Sequence, residues 1–336
     1  MPEIQISKAD SLFSRIKTLL DNARTSVVRH VNTTMVITYF EIGRIIVEDE
    51  QTGKNRAEYG KEILKSLSEK LTKKFGKGFT VRNLELMRQF YCSYSKSKSV
   101  ISKSKVLSWT HYIRLMRIDD EAERNFYEIE CIQNQWSVRE LERQIDSALY
   151  ERLHLSRNKE KIRALSEKGQ LIENPQDIVK DPYILEFLGI REDSSFSESE
   201  LEQAIIDKLE HFLLELGKGF TFVARQRRIT FDGEHYYIDL VFYNRILRAF
   251  VLIDLKIGKL KHQDIGQMQM YVNYFDREIK LEDEHKTIGI ILCKEKSELL
   301  VKYTLPEEND QIFASKYKLY IPTKEDFVKE LMELNE

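Results

Sequence analysis

The sequence predicts a protein of two parts, an all-helical N-terminal domain and a second domain of the α+β or α/β class with a mixed central sheet flanked by helices. In the first half, apolar residues recur at the three- and four-residue spacing of amphipathic helices. Residues 219–321 instead contain short runs rich in β-branched and aromatic side chains, which are typical of strands. The length of 336 residues is enough for two separate cores.

The composition is that of an ordinary folded protein, with 42% hydrophobic residues, 32% charged residues and a formal net charge of −2. No apolar run reaches about eighteen residues, and the N-terminus has no basic region followed by an apolar one. We therefore expect neither a membrane span nor a secretion signal. The three scattered cysteines, Cys92, Cys131 and Cys293, predict a reducing cytoplasm rather than a disulfide framework or a zinc site.

In the first half, residues 8–50 predict one or two long helices, and a second helical pattern covers 58–75. Thr80 is typical of an N-cap and predicts a helix through Phe90. Further helices are expected over 109–116 and 121–131, with Trp109 and Trp136 in the helical core. Ser137 and Glu140 form a capping box that begins a helix expected to continue past Arg163.

Positive charge concentrates in residues 61–110, which contain twelve lysines and arginines against three glutamates. Lys77, Arg82 and Arg88 are therefore candidates for contacts with nucleic-acid phosphates. The helix after the glycine turn is compatible with a helix-turn-helix, although any pair of packed antiparallel helices gives the same pattern. The alternative interpretation is a solvated helix face followed by a mobile serine- and lysine-rich loop at 93–108.

Glycine and proline residues interrupt 166–198, which predicts a linker between a helical domain at 8–165 and a second domain at 199–336. The second domain begins with a capping box at Ser199 and Glu202 and a helix through Leu216. The remaining elements are predicted in chain order: a strand at 219–231, a hairpin of strands at 236–243 and 250–258 with its turn at 244–245, a helix at 263–276, a parallel strand at 286–294, a strand within 313–321 and a terminal helix at 323–334.

Each strand of the predicted hairpin contains a carboxylate in an otherwise apolar run. Because side chains alternate along a strand, Asp254 and Lys256 share one face and Leu255 lies on the other, apolar face. Asp239 lies opposite or diagonal to Asp254 across the strand pair. Buried carboxylates need a partner, and hard oxygen ligands suit Mg²⁺ or Mn²⁺, the ions that assist phosphodiester hydrolysis. The alternative is a buried Asp–Lys salt bridge within the sheet.

The order of these residues resembles the PD-(D/E)xK nuclease superfamily, with Asp239, then Asp254-Leu255-Lys256, then Gln267 and Tyr271 on a helix. The segments GKGFTFVARQRRI, YYIDLVFYNRILRAFVLIDLKIG and GQMQMYVNYFD are similar to the YhcG-like branch. The segments YFEIGRIIVEDEQTGKNRAEYG, FGKGFTVRNLELMRQFY and LSWTHY resemble the helical region that precedes the nuclease domain in that branch. The resemblance covers nearly the whole chain. The proline of the superfamily's name is absent and the D/E position is Asp, but neither change removes an oxygen ligand.

This resemblance implies a restriction-endonuclease-like second domain and Mg²⁺- or Mn²⁺-dependent DNA hydrolysis. Asp239 and Asp254 would bind the metal together with the Leu255 carbonyl, and Lys256 would position the attacking water. Gln267 would support that water with Tyr271 behind it, or the two would form only a surface hydrogen bond. Glu202 would supply an extra carboxylate, or serve only as a capping residue. The phosphate contacts expected beside the site are Arg225, Gln226, Arg227, Lys259 and Lys261.

We expect DNA as the partner, a role in DNA processing or in defence against foreign DNA, and no membrane association. Self-association through the helical domain is an open option. Two alternatives remain open for the function. The first is a catalytically inactive DNA-binding or complex-assembly protein on a nuclease fold. The second is a purely structural protein whose long helices mediate oligomerisation.

Overall fold

The computed structural model describes residues 8–52, 58–95, 107–155, 159–192 and 195–323. The chain forms two compact units, Met1–Glu142 and Arg143–Glu336. The predicted domain limits of 8–165, 166–198 and 199–336 stay a prediction. Within the part of the chain that the structure describes, no helix has the length and apolar character needed to cross a membrane.

The first unit is built of helices. They are α1 (Lys8–Thr52), α2 (Glu58–Phe75), α3 (Val81–Tyr94), α4 (Trp109–Leu115), α5 (Glu121–Asn134) and the first part of α6 (Val138–Asp146). The first predicted pattern forms one continuous helix. Thr80 caps α3 as predicted, because its hydroxyl accepts a hydrogen bond from the Asn83 N–H at 3.3 Å. The lysine-rich stretch at 96–106 lies outside the described residues.

Aromatic side chains form much of the core of the first unit. Phe90 contacts Phe40, Trp109 and Tyr112 with ring centroids 4.9–5.7 Å apart. Trp109 therefore packs in the helical core, as predicted, and Trp136 is buried. A glycine on α1 allows close packing, because a Cβ atom at Gly43 would overlap the carbonyl oxygen of Met87 on α3.

The helix predicted to run from Ser137 past Arg163 is wrong, because it ends at Asp146. Two shorter helices follow it, α7 (Leu149–Leu155) and α8 (Lys159–Lys168). Ala148 has a φ of 50° at the break, a left-handed conformation that costs free energy in a residue other than glycine. The sequence contains no glycine or proline at this point, so nothing local indicates the break.

The second unit contains a six-stranded sheet with the order β1-β6-β5-β4-β3-β2. Its strands are β1 (Tyr183–Ile184), β2 (Phe220–Phe231), β3 (Glu234–Asn244), β4 (Ala249–Lys259), β5 (Ile288–Glu295) and β6 (Ile312–Lys318). β2, β3 and β4 are antiparallel neighbours, whereas β5 is parallel to both β4 and β6, and β1 is parallel to β6. This mixed sheet confirms the predicted fold class. The predicted terminal helix at 323–334 falls outside the described residues, apart from Thr323.

Among the described residues, four helices that follow β1 in the chain cover both faces of the sheet. They are α9 (Glu198–Asp207), α10 (Leu209–Leu216), α11 (His262–Tyr274) and α12 (Glu298–Thr304). Apolar side chains of α9 and α10 pack with Val251, Ile253 and Leu255 of β4. Leu252 of the same strand packs instead with Met268 and other residues of α11. The sheet therefore lies between two layers of helix.

Three local predictions in this unit need correction. The N-cap of α9 is Ser197 with Glu200 at the third helical position, two residues earlier than the predicted Ser199–Glu202 box. The predicted helix is also interrupted, with a non-helical backbone at Lys208. The β3–β4 turn spans 245–248 rather than 244–245, because Asn244 Oδ1 accepts hydrogen bonds from the Ile246 and Leu247 N–H groups and forms a wider turn.

Candidate active site

The two carboxylates lie where the β3–β4 pairing ends. The pairing runs from Asn244 and Ala249 to Leu240 and Ile253, and Asp239 and Asp254 are the next residues on the two strands. The Leu255 N–H donates a hydrogen bond of 2.8 Å to Asp239 Oδ2. That bond links the two strands beyond the last ladder pair. The two aspartates are therefore brought to one place, as the predicted hairpin requires.

Asp239 is a half-buried carboxylate with one hydrogen bond to each oxygen. Gln226 Nε2 donates to its Oδ1 at 3.0 Å, and the Leu255 N–H donates to its Oδ2. Burial raises the pKa of Asp239 above its ordinary value, although the Leu255 hydrogen bond and the Lys256 charge act in the opposite direction. Asp239 is thus held in place without being fully compensated.

Asp254 is more deeply buried and has fewer partners. Only 2% of the residue is exposed, and Lys256 Nζ lies 2.7 Å from its Oδ2. Among the described residues, this ammonium is the charged neighbour of Oδ2, and no further donor makes a hydrogen bond to that oxygen. Burial and the charge of Asp239 raise the pKa of Asp254 to about 7. This carboxylate would gain most from an additional cation.

Lys256 carries the positive charge of the site. Burial lowers the pKa of its ammonium, but the carboxylates of Asp254, Glu198 and Asp239 outweigh burial and raise that pKa above its ordinary value. Lys256 is therefore protonated near neutral pH. The alternative interpretation of the sequence, an Asp–Lys salt bridge, describes the contact with Asp254 but leaves Asp239 without a role.

Glu202 on α9 is connected to Asp239 through the side chain of Gln226. Gln226 Nε2 donates to Glu202 Oε2 at 2.6 Å as well as to Asp239, and Arg225 Nε donates to Glu202 Oε1 at 3.0 Å. Gln226 has a φ of 46°, in the left-handed region, opposite Asp239 on the neighbouring strand. Such a backbone costs about 1–2 kcal/mol and is found where surrounding contacts enforce it. Glu202 is 3% exposed and lies inside the domain rather than acting as a surface cap.

Gln267 and Tyr271 connect α11 to β3. Gln267 Nε2 donates to the Tyr271 hydroxyl at 2.7 Å, and that hydroxyl donates to the Tyr237 carbonyl at 2.9 Å. Tyr237 is two residues before Asp239 on the strand. Burial and the charges of Asp254 and Asp239 raise the pKa of the Tyr271 hydroxyl, so the pair is not an isolated surface hydrogen bond.

The predicted phosphate contacts fall into separate groups. Arg225 and Gln226 bind Glu202, as described above. Arg227, Lys259 and Lys261 are exposed in the second unit. In the first unit, Lys77 precedes α3, Arg82 and Arg88 lie on it, and Arg88 Nε pairs with Glu50 Oε2 at 2.7 Å.

The sequence interpretation missed Glu198. Its Oε2 lies 3.7 Å from Lys256 Nζ, at the first residue of α9. Glu198 and Glu202 are four residues apart and therefore share one face of the helix. This spacing was present in the sequence, but the N-cap prediction at Ser199 placed Glu198 outside the helix.

The residues present fit a divalent cation. Asp254 offers a buried oxygen whose partner among the described residues is Lys256, and a cation between the two aspartates would remove their repulsion. Among the described residues, no group of three or more His, Cys, Asp or Glu side chains is arranged to hold a metal ion. The side chains would thus supply about two ligands, which is the coordination of hard cations that keep several waters.

The comparisons with known proteins agree with this arrangement. Residues 176–332 match the family described as the YhcG PDDEXK nuclease domain, and residues 15–152 match the DUF1016 N-terminal domain. A protein of Escherichia coli (strain K12) named "Putative nuclease YhcG" is 38% identical over 343 residues, covering 94% of this chain and 91% of that protein.

Two solved structures show weaker similarity. A repair endonuclease from Pyrococcus abyssi is 20% identical, with 39% of this chain and 50% of that chain covered and a TM-score of 0.26. A structure described as the EndoMS-dsDNA2 complex is 16% identical, with 40% and 51% covered and a TM-score of 0.27. The chain spans about half the length of these two proteins, and similarity at this level decides nothing about its activity.

The family match over residues 176–332 and the mixed sheet place the chain in the PD-(D/E)xK nuclease class, whose members generally use divalent metal ions. Identity of 38% over nearly the whole length assigns it more narrowly. The chain belongs to the YhcG family of PD-(D/E)xK nucleases, with a DUF1016 N-terminal domain.

Proposed function

We propose that the protein is an endonuclease that hydrolyses DNA phosphodiester bonds with Mg²⁺, or Mn²⁺, bound by Asp239 and Asp254. The observation that carries this proposal is the pair of under-compensated carboxylates beside a protonated Lys256. Perturbed acids next to a specific charge partner are typical of functional sites. Two carboxylates with room for waters suit Mg²⁺ better than zinc.

When bound, the cation would polarise the phosphoryl oxygen and lower the pKa of a water ligand. Asp239 and Asp254 would hold it together with the Leu255 carbonyl. Lys256 is protonated, so its ammonium would donate a hydrogen bond that orients the attacking water and would offset charge on the phosphate. This assigns Lys256 to orientation and charge stabilisation.

The surrounding residues would keep the two aspartates in place. Glu202 would act through Gln226, which it shares with Asp239, and Arg225 would neutralise Glu202. Gln267 would support the water, and Tyr271 would fix α11 against β3. Because Arg225 and Gln226 are engaged by Glu202, we assign them to shaping the site.

DNA would be bound through exposed cationic side chains. Phosphate contacts position the duplex and carry no sequence information by themselves. The candidates are Arg227, Lys259 and Lys261 in the nuclease domain and Lys77, Arg82 and Arg88 in the helical domain. The family suggests a role in DNA processing or in defence against foreign DNA.

Cleavage of supercoiled plasmid tests the proposal directly. We expect nicked and linear products with Mg²⁺ or Mn²⁺, none with EDTA, and loss of cleavage in Asp254→Ala. Asp232→Asn is the matched control, because Asp232 is an exposed aspartate in the β2–β3 turn whose left-handed backbone asparagine tolerates. Cleavage that survives in Asp254→Ala would indicate a contaminating nuclease and reject the assigned site.

A mobility-shift assay in EDTA separates the alternative functions. Salt-dependent binding without cleavage at any metal concentration would favour the inactive DNA-binding or assembly protein. Absence of both binding and cleavage would favour the purely structural alternative. An RNA substrate in the same assays tests the choice of DNA.

We also propose that the helical domain self-associates through α1. The supporting observation is a set of exposed apolar side chains on that helix: Leu12, Phe13, Ile16, Leu19 and Leu20. Light scattering after size-exclusion chromatography should give a mass above that of one chain, which Leu19→Glu with Leu20→Glu should reduce. A monomeric wild-type protein would reject this proposal.

We place the protein in the cytoplasm on the basis of its cysteines. Cys92, Cys131 and Cys293 are all free thiols, and a reducing compartment would keep them so. Recovery of the protein in an exported fraction would contradict this assignment.

A further inference from the structure

A cationic cavity lies at the carboxyl ends of the three neighbouring parallel strands of the second unit. Its volume is about 590 Å³, and residues at the ends of β4, β5 and β6 line it. Five lysines and two glutamates are among the lining residues. The lysines are Lys259, Lys294, Lys296, Lys316 and Lys318. Carboxyl ends of parallel strands are the usual place for ligands in open α/β sheets.

Part of this charge builds the wall of the cavity. The Lys296 side chain is 8% exposed and pairs with Asp181 and, at 2.9 Å, with Glu298. Asp181 Oδ1 also accepts a hydrogen bond of 2.9 Å from the Lys316 N–H, so this aspartate joins the ends of β5 and β6. Lys296 is therefore compensated within the protein and fixes the shape of the cavity.

The positive charge available to a ligand comes from exposed lysines at the opening of the cavity. Lys259 and Lys294 are both exposed, at the ends of the neighbouring strands β4 and β5. The Leu260 N–H donates to the Glu295 carbonyl at 2.9 Å, which holds these two strand ends together beyond Lys259. Two ammonium groups on a fixed frame are suited to anionic oxygen atoms.

The cavity is close to the candidate active site along one strand. Lys259 follows Lys256 by three residues on β4, which is at most about 10 Å at about 3.3 Å per residue, and less where the β4–β5 register shifts between the two lysines. Charges on one strand of duplex DNA recur every 3.4 Å or so along the axis. A nucleic acid that follows β4 with its cleaved phosphate at Lys256 would therefore bring phosphates within about three nucleotides of that bond to the cavity.

We propose that this cavity is a phosphate-binding subsite for the backbone of the nucleic-acid substrate on one side of the cleaved bond. The inference rests on the proposed nuclease function and adds a subsite to it. Lys259 and Lys294 make the contacts with phosphate, and Lys296 keeps the frame rigid. A free polyphosphate offers the same chemistry, so the experiment must separate the two sources.

Fluorescence anisotropy with a labelled DNA duplex in EDTA measures binding without cleavage. The test variant is Lys259→Gln with Lys294→Gln, and the matched control is Lys286→Gln with Lys302→Gln, two exposed lysines that do not line the cavity. The logarithm of the binding constant falls linearly with the logarithm of the salt concentration. Loss of two phosphate contacts should make this negative slope shallower by about 1.8, in the test variant only. Affinity at low salt should fall by about tenfold or more.

Equal slopes in the test and control variants would overturn the proposal. Weaker binding of tripolyphosphate together with unchanged DNA binding would also overturn it, in favour of a free-anion site. Plasmid cleavage by wild type and Asp254→Ala is scored separately. Metal-dependent cleavage that Asp254→Ala abolishes, together with equal salt slopes, would reject the phosphate subsite and support the nuclease function. A shallower slope in the test variant without any cleavage would support phosphate binding at the cavity and reject the nuclease function.

Discussion

Two buried carboxylate groups in the second unit have opposite surroundings. Glu215 is fully buried, yet its oxygens contact Arg152 Nη1 at 2.7 Å and Arg143 Nη1 at 3.3 Å. Burial alone would raise the pKa of Glu215, but Arg152, Lys180 and Arg143 lower it to about 2. For Asp254, burial and Asp239 raise the pKa to about 7 against a single cation.

This comparison shows that burial of a carboxylate does not by itself indicate a functional site. Glu215 also accepts a hydrogen bond of 3.0 Å from the Ile184 N–H, so its oxygens are satisfied and its charge is overcompensated. Its partners come from α6 and α7, which it attaches to β1 and α10. Among the described residues, Oδ2 of Asp254 has the Lys256 ammonium as its single partner, and a shortage of partners is what a metal ion could correct.

The largest expected effect is the loss of catalysis when one of the two under-compensated carboxylates, Asp239 and Asp254, is replaced. Asp254→Asn should reduce plasmid cleavage by at least about 10³-fold, since metal catalysis is worth several kcal/mol. The metal-free protein should be as stable as wild type or more stable, because the substitution removes a repelling charge. Cleavage rates and urea unfolding in EDTA measure the two quantities. A clear loss of stability would mean that Asp254 is a structural ion-pair partner like Glu215.

The next effect is on stability at the compensated carboxylate. Glu215→Gln should destabilise the domain by about 3–5 kcal/mol, because the buried Arg152 would lose its carboxylate partner and Arg143 would keep only Glu186. Urea unfolding measures the change, with Glu210→Gln on the exposed side of α10 as a control expected within about 0.5 kcal/mol. A small change in the free energy of unfolding of Glu215→Gln would show that the remaining contacts of the two guanidinium groups compensate their charges.

A smaller effect is expected from the residue that joins Asp239 to Glu202. Gln226→Met keeps the side-chain length but removes both hydrogen bonds, so metal affinity should fall by about 10–100-fold. Calorimetric titration with Mn²⁺ measures the affinity. Arg228→Met, at an exposed position on the same strand, should leave it unchanged. Equal affinities in the two variants would remove Gln226 from the site.

The smallest effect is the pH dependence, which should differ in sign between the two groups. The raised pKa of Asp254 means that metal binding must displace a proton below about pH 7, so affinity should rise up to about tenfold per pH unit and level off above that pH. In the metal-free protein, the contribution of Asp254 to the free energy of unfolding is fully present below the ordinary pKa of an aspartate. That contribution is lost as pH rises through about 7. Asp254→Asn should abolish both trends.

Glu215 supplies the contrasting case. Its lowered pKa means that its stabilisation is present above its ordinary pKa of 4.5 and is lost as pH falls towards about 2. Urea unfolding between pH 2 and 5 should show this loss in wild type and not in Glu215→Gln. A wild-type profile that is flat in this range would contradict the assigned ion network.

Much of the second domain follows from local patterns in the chain. The hairpin with Asp239 and Asp254 and the parallel strand after α11 were predictable, as was the Thr80 cap in the first unit, because alternation, β-branched runs and capping residues act over a few neighbours. The break at Ala148 was not predictable, because Arg152 of α7 is drawn to Glu215, 63 residues away in sequence. Ile257 continues the alternation of Ile253 and Leu255 along β4 but is 36% exposed, since the regular β4–β5 register ends at Lys256.

The sequence by itself determined the fold class, the two acidic strands and the lysine beside them, since each depends on spacing within a single element. Only the tertiary structure decided which buried carboxylates have too few cations and donors beside them to compensate their charge. It placed Gln226 in a left-handed backbone between Asp239 and Glu202, brought Glu198 near Lys256, and surrounded Glu215 with cations from distant helices. The physical reason is that charge compensation depends on distances between separate elements, which spacing along one chain does not encode.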